Sequence, residues 1–478
     1  MTVARLAVLC SLLFATLTHA NIIVTENARP GTDRWRLRSA PSDEINGYAS
    51  ATSVAAGETL RMFVSTADAQ AGAEVQIEMF RMGWYGGLGG RRMTDVISRP
   101  GELQAIPPPD AEGMIRCQWH ETYSFSVPTD WVSGVYLAKL TARPSGDQNY
   151  IIFVVRDDRP ADLLFQSSVT TYQAYNNWGG KSLYPHNSTG PQARKVSFDR
   201  PYSAEDGAGD FLFRWEYNMT RFLEREGYDV SYITNIDTHA NPQTLLRAKA
   251  FLSVGHDEYW TWPMRVSVEA ARDAGVDLAF FSGNTCYWQI RLEDGNRTIV
   301  GYKEAALSAD PILRDGNSLN DHLTTTKWRD VPVFRPEEAL IGVMYVESPV
   351  DGDITISNAS HWVFAKTGLR NGDRLPGLLG YEVDAMHGVA PPPNLTRLAH
   401  SPFVSGDGES GFSDMTIYTA ASGALVFATG TIQWSWGLDD FGPTVRGNRV
   451  SPAAQQITRN VLDRMIDRVQ ITKRRAVR

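Results

Sequence analysis

The sequence predicts an all-β part over residues 21–156, followed by a doubly wound parallel α/β part over 160–468. Three observations carry this reading. Short apolar segments broken by Gly, Pro and Asp recur as far as Arg156, with no helical periodicity longer than two turns. The charged, proline-ended run Asp157-Asp158-Arg159-Pro160 then makes a joint. Beyond it, apolar runs alternate with segments whose apolar residues recur at helical spacing.

Residues 1–20 read as an export signal. Arg5 precedes the apolar stretch Leu6–Leu17, and Thr18-His19-Ala20 offers a small-x-small cleavage pattern before Asn21. Cys10 lies too early for a lipoprotein box. The apolar stretch is short for a bilayer and no later run approaches the required length, so a secreted or periplasmic chain without a membrane span is expected.

In the all-β part, Thr59–Val64, Glu74–Phe80, Gly134–Leu140 and Tyr150–Val155 are strand-like, and their spacing suggests an immunoglobulin-like β-sandwich. In the second part, Leu163–Gln166 reads as a strand. Phe211–Glu226 reads as a helix with Leu212, Trp215, Met219 and Phe222 on one face and Gly227 as its stop. Tyr228–Ile233 is a strand, Pro242–Ala248 a short helix and Ala250–Val254 a strand. Thr261–Ala274 is a helix with Thr261 as cap and Pro263 in the first turn. Asp277–Phe281 is the fourth strand. An insertion from about 299 to 413 carries strands near 340–346, 353–356 and 362–366, and Ala424–Thr429 with the helix Pro452–Arg468 returns to the parallel sheet.

Composition narrows the function. The formal net charge is −8, and the basic end from Lys473 to Arg478 suits a solvated terminus, so nucleic acid is not an expected partner. With the signal removed, Cys117 and Cys286 remain; they provide neither a disulfide framework nor a zinc spacing, and their pairing stays open. Five N-x-[ST] sites, at Asn187, Asn218, Asn296, Asn358 and Asn394, matter only in a eukaryotic secretory pathway.

Chemistry gathers at the strand ends. Residues 170–180, 234–239, 255–260, 282–288 and 430–436 each follow a proposed parallel strand, and each is polar and aromatic at once. On such a sheet they meet in the crevice beyond the carboxyl ends of the strands. The turn Gly255-His-Asp-Glu-Tyr259 has no Ser or Cys at its tip, which excludes a nucleophile elbow there. Cys286 is the remaining thiol candidate. The rim instead offers phenols at Tyr172, Tyr175 and Tyr202, carboxylates at Asp257 and Glu258, and the His256 imidazole. Hard oxygen donors of this kind suit a hard cation, with ordinary half-buried tyrosines as the alternative.

The runs TYQAYNNWGGKSLY (171–184), FDRPY (198–202), GHDEYW (255–260), AFFSGN (279–284) and ATGTIQWSWGLD (428–439) together resemble the large (beta) subunit family of N,N-dimethylformamidase, in its C-terminal catalytic part, over roughly 160–465. The resemblance implies a glutamine-amidotransferase-like core and amide hydrolysis at one iron (Fe3+) held by two tyrosinates and a glutamate. Carried over by motif, Tyr175 is the first phenolate and Glu258 the carboxylate ligand. Tyr202 is the choice for the second phenolate, with Tyr217 left open. His256 is the implied general base or proton shuttle, Glu382 the carboxylate orienting it, and Asn284 the group that meets the substrate carbonyl or its oxyanion. Asp257 is assigned to helix capping.

Three features depart from a formamidase: the export signal, an accessory β region carrying GWYGG (83–87), and the absence of an encoded small subunit. They suggest a bulkier substrate outside the cell. Two other functions stay open. One is a carbohydrate- or envelope-binding protein using Trp178, Trp260, Trp288, Trp434 and Trp436 as stacking platforms. The other is a metal-free glycosidase pairing Glu258 with Asp439. The expected partner is a small amide or saccharide-like molecule; oligomeric state, including a homo-oligomer, is left open.

Overall fold

The computed structural model describes residues 21–204, 207–442 and 447–476, with side chains as far as 467, so the export signal and the basic end lie outside the described residues. Among the described residues no helix is long and apolar enough to cross a membrane.

The first part packs a three-stranded sheet (Ile45–Ala49, Thr59–Thr66, Tyr123–Ser126) against a larger one in which Glu74–Met82, Gly134–Arg143 and Gln148–Arg156 are neighbours. Side chains alternate along a strand, so one strand serves two cores. Val75, Ile77, Met79, Tyr136, Ala138 and Leu140 meet Leu60, Met62 and Val64 between the two sheets. Phe80, Met82, Val135 and Leu137 face the other way and join Leu163, Phe165, Tyr232 and Leu252 of the second part in one continuous core. The joint at 157–160 therefore marks a change of topology rather than a gap in packing.

The second part is built on seven strands in the order Val230–Thr234, Ala161–Ser167, Ala248–His256, Asp277–Gly283, Leu425–Ala428, Ser410–Thr419, Thr396–Val404. The first five pair in parallel. The last two pair antiparallel at one edge. Apolar residues alternate onto two covers: Leu252, Val254 and Phe281 face Phe222, Leu223, Ile457 and Val461, whereas Phe251, Leu278 and Phe280 face Met264 and Val268.

Three local expectations need correction. The helix expected over 211–226 is broken into Asp210–Phe213 and Tyr217–Glu226, because Trp215 turns aside to cover Gly255. Of the insertion's expected strands, 362–366 is a 3-10 turn, Trp362–Phe364. Residues 340–346 divide between a helical turn, Glu338–Ile341, and the start of the strand Met344–Thr355. The short helix expected over 242–248 is present as a 3-10 helix, Pro242–Arg247. The helix Trp262–Asp273 has Thr261 as its cap, the Thr261 hydroxyl accepting from the Met264 N–H at 3.2 Å. The insertion contributes the hairpin Met344–Thr355 with Arg374–Ala385, and its next two strands extend the main sheet.

Candidate active site

His256 ends a strand paired with Asp277–Gly283, His256 lying opposite Gly283 in register. Gly255 before it has φ +70°, and a Cβ there would collide with Trp215, so both backbone and packing require glycine. The turn then sends three side chains to three destinations. Asp257 is fully buried and accepts from Gln166 Nε2 at 2.8 Å, Asn235 Nδ2 at 2.9 Å and Ser253 Oγ at 2.9 Å. It ties strands together and caps no helix, which corrects its assignment. Glu258 and His256 turn toward the helix Val169–Tyr175, whose Thr171 hydroxyl accepts the Glu258 N–H at 3.0 Å.

Glu258 meets phenols. Tyr184 donates to Glu258 Oε1 at 3.0 Å; its oxygen lies 2.8 Å from that of Tyr175, and Tyr259 donates to it at 2.6 Å. The Tyr175 and Tyr184 rings stack at 4.3 Å. Burial, with the Glu258 charge added, holds all three phenols well above their ordinary acidity range. Tyr184 follows no helical or strand periodicity, preceding a single 3-10 turn, Pro185–Asn187. It escaped residue-by-residue reading although it ends the motif beginning at Thr171.

Tyr202 stands elsewhere. Its ring meets Tyr172 at 6.3 Å and lines a small void with Tyr48, Arg200 and Arg297 between the two parts of the chain. Tyr217 donates to the Gly89 carbonyl at 2.6 Å, in the core beside Trp35. The phenol gathered with Tyr175 and Glu258 is Tyr184.

His256 Nε2 lies 3.0 Å from Glu382 Oε2 and 3.3 Å from Glu258 Oε2. Neither contact is aligned as a hydrogen bond, so the attraction is ionic. Burial opposes a charged imidazole, yet the two carboxylates outweigh it and raise His256 well above its ordinary value. Burial raises Glu382 as well, but His256 prevails and holds it below the carboxylate range. Asn284 Nδ2 donates to Glu382 Oε2 at 2.7 Å, its backbone N–H donates to Asp384 Oδ1 at 2.7 Å, and its φ is +48°. Glu382 and Asp384, two apart on the strand Arg374–Ala385, thus hold Asn284 from one face. Burial pushes Asp384 up to about 7.

Lys303, absent from the sequence reading, places its Nζ 3.1 Å from the centroid of the Tyr184 ring and 5.0 Å from that of Trp288. Burial brings it down to about 8, against the pull of Glu258. Its only sequence sign was a lone basic residue within GYKEA.

A cleft of about 420 Å³ adjoins these groups; Tyr175, His256, Glu382, Tyr381, Gln433 and Trp436 belong to its lining. The strand ends at 170–180, 255–260 and 430–436 open on it, whereas in the 234–239 end Asn235 supports Asp257 and Asp237 binds Ser53. Trp178, Trp260, Trp288 and Trp434 are buried, which removes four of the five stacking platforms. Asp439 is buried in ion pairs with Arg221 and Arg225, so it does not face Glu258 as a second glycosidase acid. Cys117 and Cys286 are both free and buried; burial raises both thiols, Cys117 to about 12. Asn187 and Asn218 spend their amides on the Tyr175 carbonyl and on the Asp439 and Phe441 carbonyls.

Among the described residues no three His, Cys, Asp or Glu side chains form a metal-holding group. The hard-oxygen set is a different matter. Tyr184 is hydrogen-bonded to both Tyr175 and Glu258, gathering two phenols and a carboxylate, and His256 Nε2 and Asn284 Oδ1 are buried beside them without hydrogen-bond partners. Phenols so resistant to ionisation need a strong Lewis acid to become ligands, and this donor chemistry fits one.

A family model described as N,N-dimethylformamidase beta subunit-like, C-terminal, matches residues 76–449. The match starts inside the strand Glu74–Met82, so the family unit is wider than the expected 160–465 and crosses the joint. An Alcaligenes sp. N,N-dimethylformamidase beta subunit is 22% identical over a 436-residue alignment that covers 73% of this chain and 54% of that protein. The chain thus spans about half the length of that relative. A Paenibacillus sp. cycloisomaltooligosaccharide glucanotransferase structure aligns at 10% identity with a TM-score of 0.17, over 51% of this chain and 45% of that one.

Proposed function

The chain belongs to the N,N-dimethylformamidase beta subunit-like family, and from that premise we propose that it is an exported amide hydrolase on a glutamine-amidotransferase-like sheet. Its chemistry centres on the Tyr175–Tyr184–Glu258 cluster and the neighbouring His256–Glu382–Asn284 chain. The observation that carries the reading is the contiguity of these six side chains beside one cleft.

Tyr175, Tyr184 and Glu258 are the residues that would hold the iron the family resemblance implies. Once bound, iron would polarise the amide carbonyl or acidify a water molecule. His256 holds a proton between Glu258 and Glu382, where it can be passed to the leaving nitrogen as the C–N bond opens. Glu382 keeps the imidazole in place and also receives the Asn284 amide. The carbonyl end of that amide faces no protein donor, so it is available to the substrate's N–H, while the carboxamide is kept in position by Glu382 and Asp384. The glycosidase and Trp-platform readings lose support from the buried positions of Asp439 and of four tryptophans.

The test is metal content with visible spectroscopy. Purified protein should carry about one iron per chain and show a tyrosinate-to-iron charge-transfer band. Tyr175→Phe, Tyr184→Phe and Glu258→Ala should each weaken or abolish the band, whereas Tyr202→Phe should leave it intact. A colourless protein that takes up no iron refutes the proposed centre; a band lost only in Tyr202→Phe refutes the ligand assignment.

A further inference from the structure

The cleft is larger and more polar than a dimethylated formamide requires. At about 420 Å³ it lies within the roughly 300–1,000 Å³ of sites that take drug-sized ligands, and such a small amide would leave most of it wet. Pockets for apolar ligands are lined predominantly by hydrophobic side chains. Here Asn177, Ser203 and Gln433 share the lining with His256 and Glu382. Tyr381, on the strand that also carries Glu382, is 49% exposed, and the His186 imidazole is a second exposed ring of the lining. Trp436, by contrast, is occupied on its faces, stacked on Trp215 at 5.1 Å and overlaid by Arg449 at 5.1 Å.

Hydrogen-bonding groups, the charged Asp210 and Arg214 among them, beside an accessible aromatic face suit a body with many hydroxyls and a flat C–H surface. We propose that the substrate is an amide borne on a polyhydroxylated ring, an N-acylated amino sugar or a short oligomer of one, held by Tyr381 and by the Gln433 side-chain N–H, the Gln433 Oε1 accepting from Arg449 at 2.8 Å. The proposal rests on the amide-hydrolase reading. In the reaction, a water oxygen bonds to the acyl carbon and the C–N bond breaks. Its electron pair stays on nitrogen, which takes the water's two protons by way of His256, leaving a carboxylate and the amino sugar as its ammonium ion; no oxidant or reductant is needed.

The experiment compares N-acetylglucosamine and its disaccharide with N,N-dimethylformamide and N-methylacetamide, following amine release by the iron-loaded protein and ligand binding by the His256→Ala variant. The expected result is kcat/KM for an acetylated sugar at least about tenfold above both small amides. Tyr381→Ala should lower that value about tenfold through KM, a difference of about 1.4 kcal/mol, and Tyr381→Trp should restore it. Small amides turned over as efficiently as the sugars, or sugars giving no saturable binding, overturn the substrate class. Saturable sugar binding with no amide hydrolysed at all instead overturns the hydrolase reading while the ligand class stands.

Discussion

Glu216 provides the prediction whose size follows most directly from the structure. It is buried behind the start of the helix that carries Tyr175, where Glu216 Oε1 accepts the Ser168 N–H at 2.9 Å. Burial raises its carboxyl from 4.5 to about 8, and hydrogen bonds offset that only in part. The folded chain therefore keeps this proton up to about pH 8, whereas the unfolded chain loses it near pH 4.5. Below pH 4.5 the group is neutral in both states and costs nothing. Between those values the unfolded state alone ionises, and the wild type loses about 1.4 kcal/mol of stability per pH unit, roughly 5 kcal/mol in all. Above about pH 8 both states are ionised and the loss levels off. Glu216→Gln removes this titration. Urea unfolding of both proteins at half-unit steps from pH 4 to 9 should show the variant gaining on the wild type across this window and the gap then holding constant. A gap independent of pH, or one that closes as pH rises, would refute the assignment of a neutral buried carboxyl.

The remaining predictions use other contacts. Arg81 and Glu224 are both fully buried and joined at 2.7 Å, with Arg81 donating also to Tyr85 and to the Ser133, Val132 and Met82 carbonyls. Arg81→Ala should cost about 3–5 kcal/mol by denaturant unfolding, and a cost below 1 kcal/mol would show the pair to be solvated. Asp384→Ala, which removes the acceptor of the Asn284 N–H, should lower kcat on amides about tenfold, about 1.4 kcal/mol. Asp384→Asn keeps an acceptor and should retain more of the rate; equal loss in both would assign the role to charge. Iodoacetamide at pH 8 should leave Cys286 unmodified and the activity intact, as judged by mass spectrometry, because burial raises that thiol. Inactivation matched to Cys286 alkylation would revive it as the nucleophile.

What was legible in the sequence was local. The apolar run ending at Gly255-His256 and the Thr261 cap with Pro263 carry their own periodicity and stereochemistry, and they stand at those positions in the structure. The break at residues 214–216 was hidden because it accompanies the packing of Trp215 on Gly255, some forty positions away. The edge strands Thr396–Val404 and Ser410–Thr419 read as part of an isolated insertion because pairing with the main sheet leaves no local mark. In the site, motif matching found His256, Glu258, Glu382 and Asn284, which the structure brings together. It chose Tyr202, with Tyr217 left open, and did not weigh Tyr184, which only tertiary packing brings beside Tyr175 and Glu258.

The core shared across the joint constrains how this protein can be cut and rebuilt. A chain severed at Asp157–Pro160 would bare Phe80, Met82 and Leu137 on one piece and Leu163, Phe165 and Tyr232 on the other, two sticky surfaces shaped for each other. The β part is thus closer to a backing plate than to a detachable module. Relatives that exchange it for another accessory domain must re-cut the sheet beneath it at the same time, and fragments expressed apart should aggregate alone and recover when mixed.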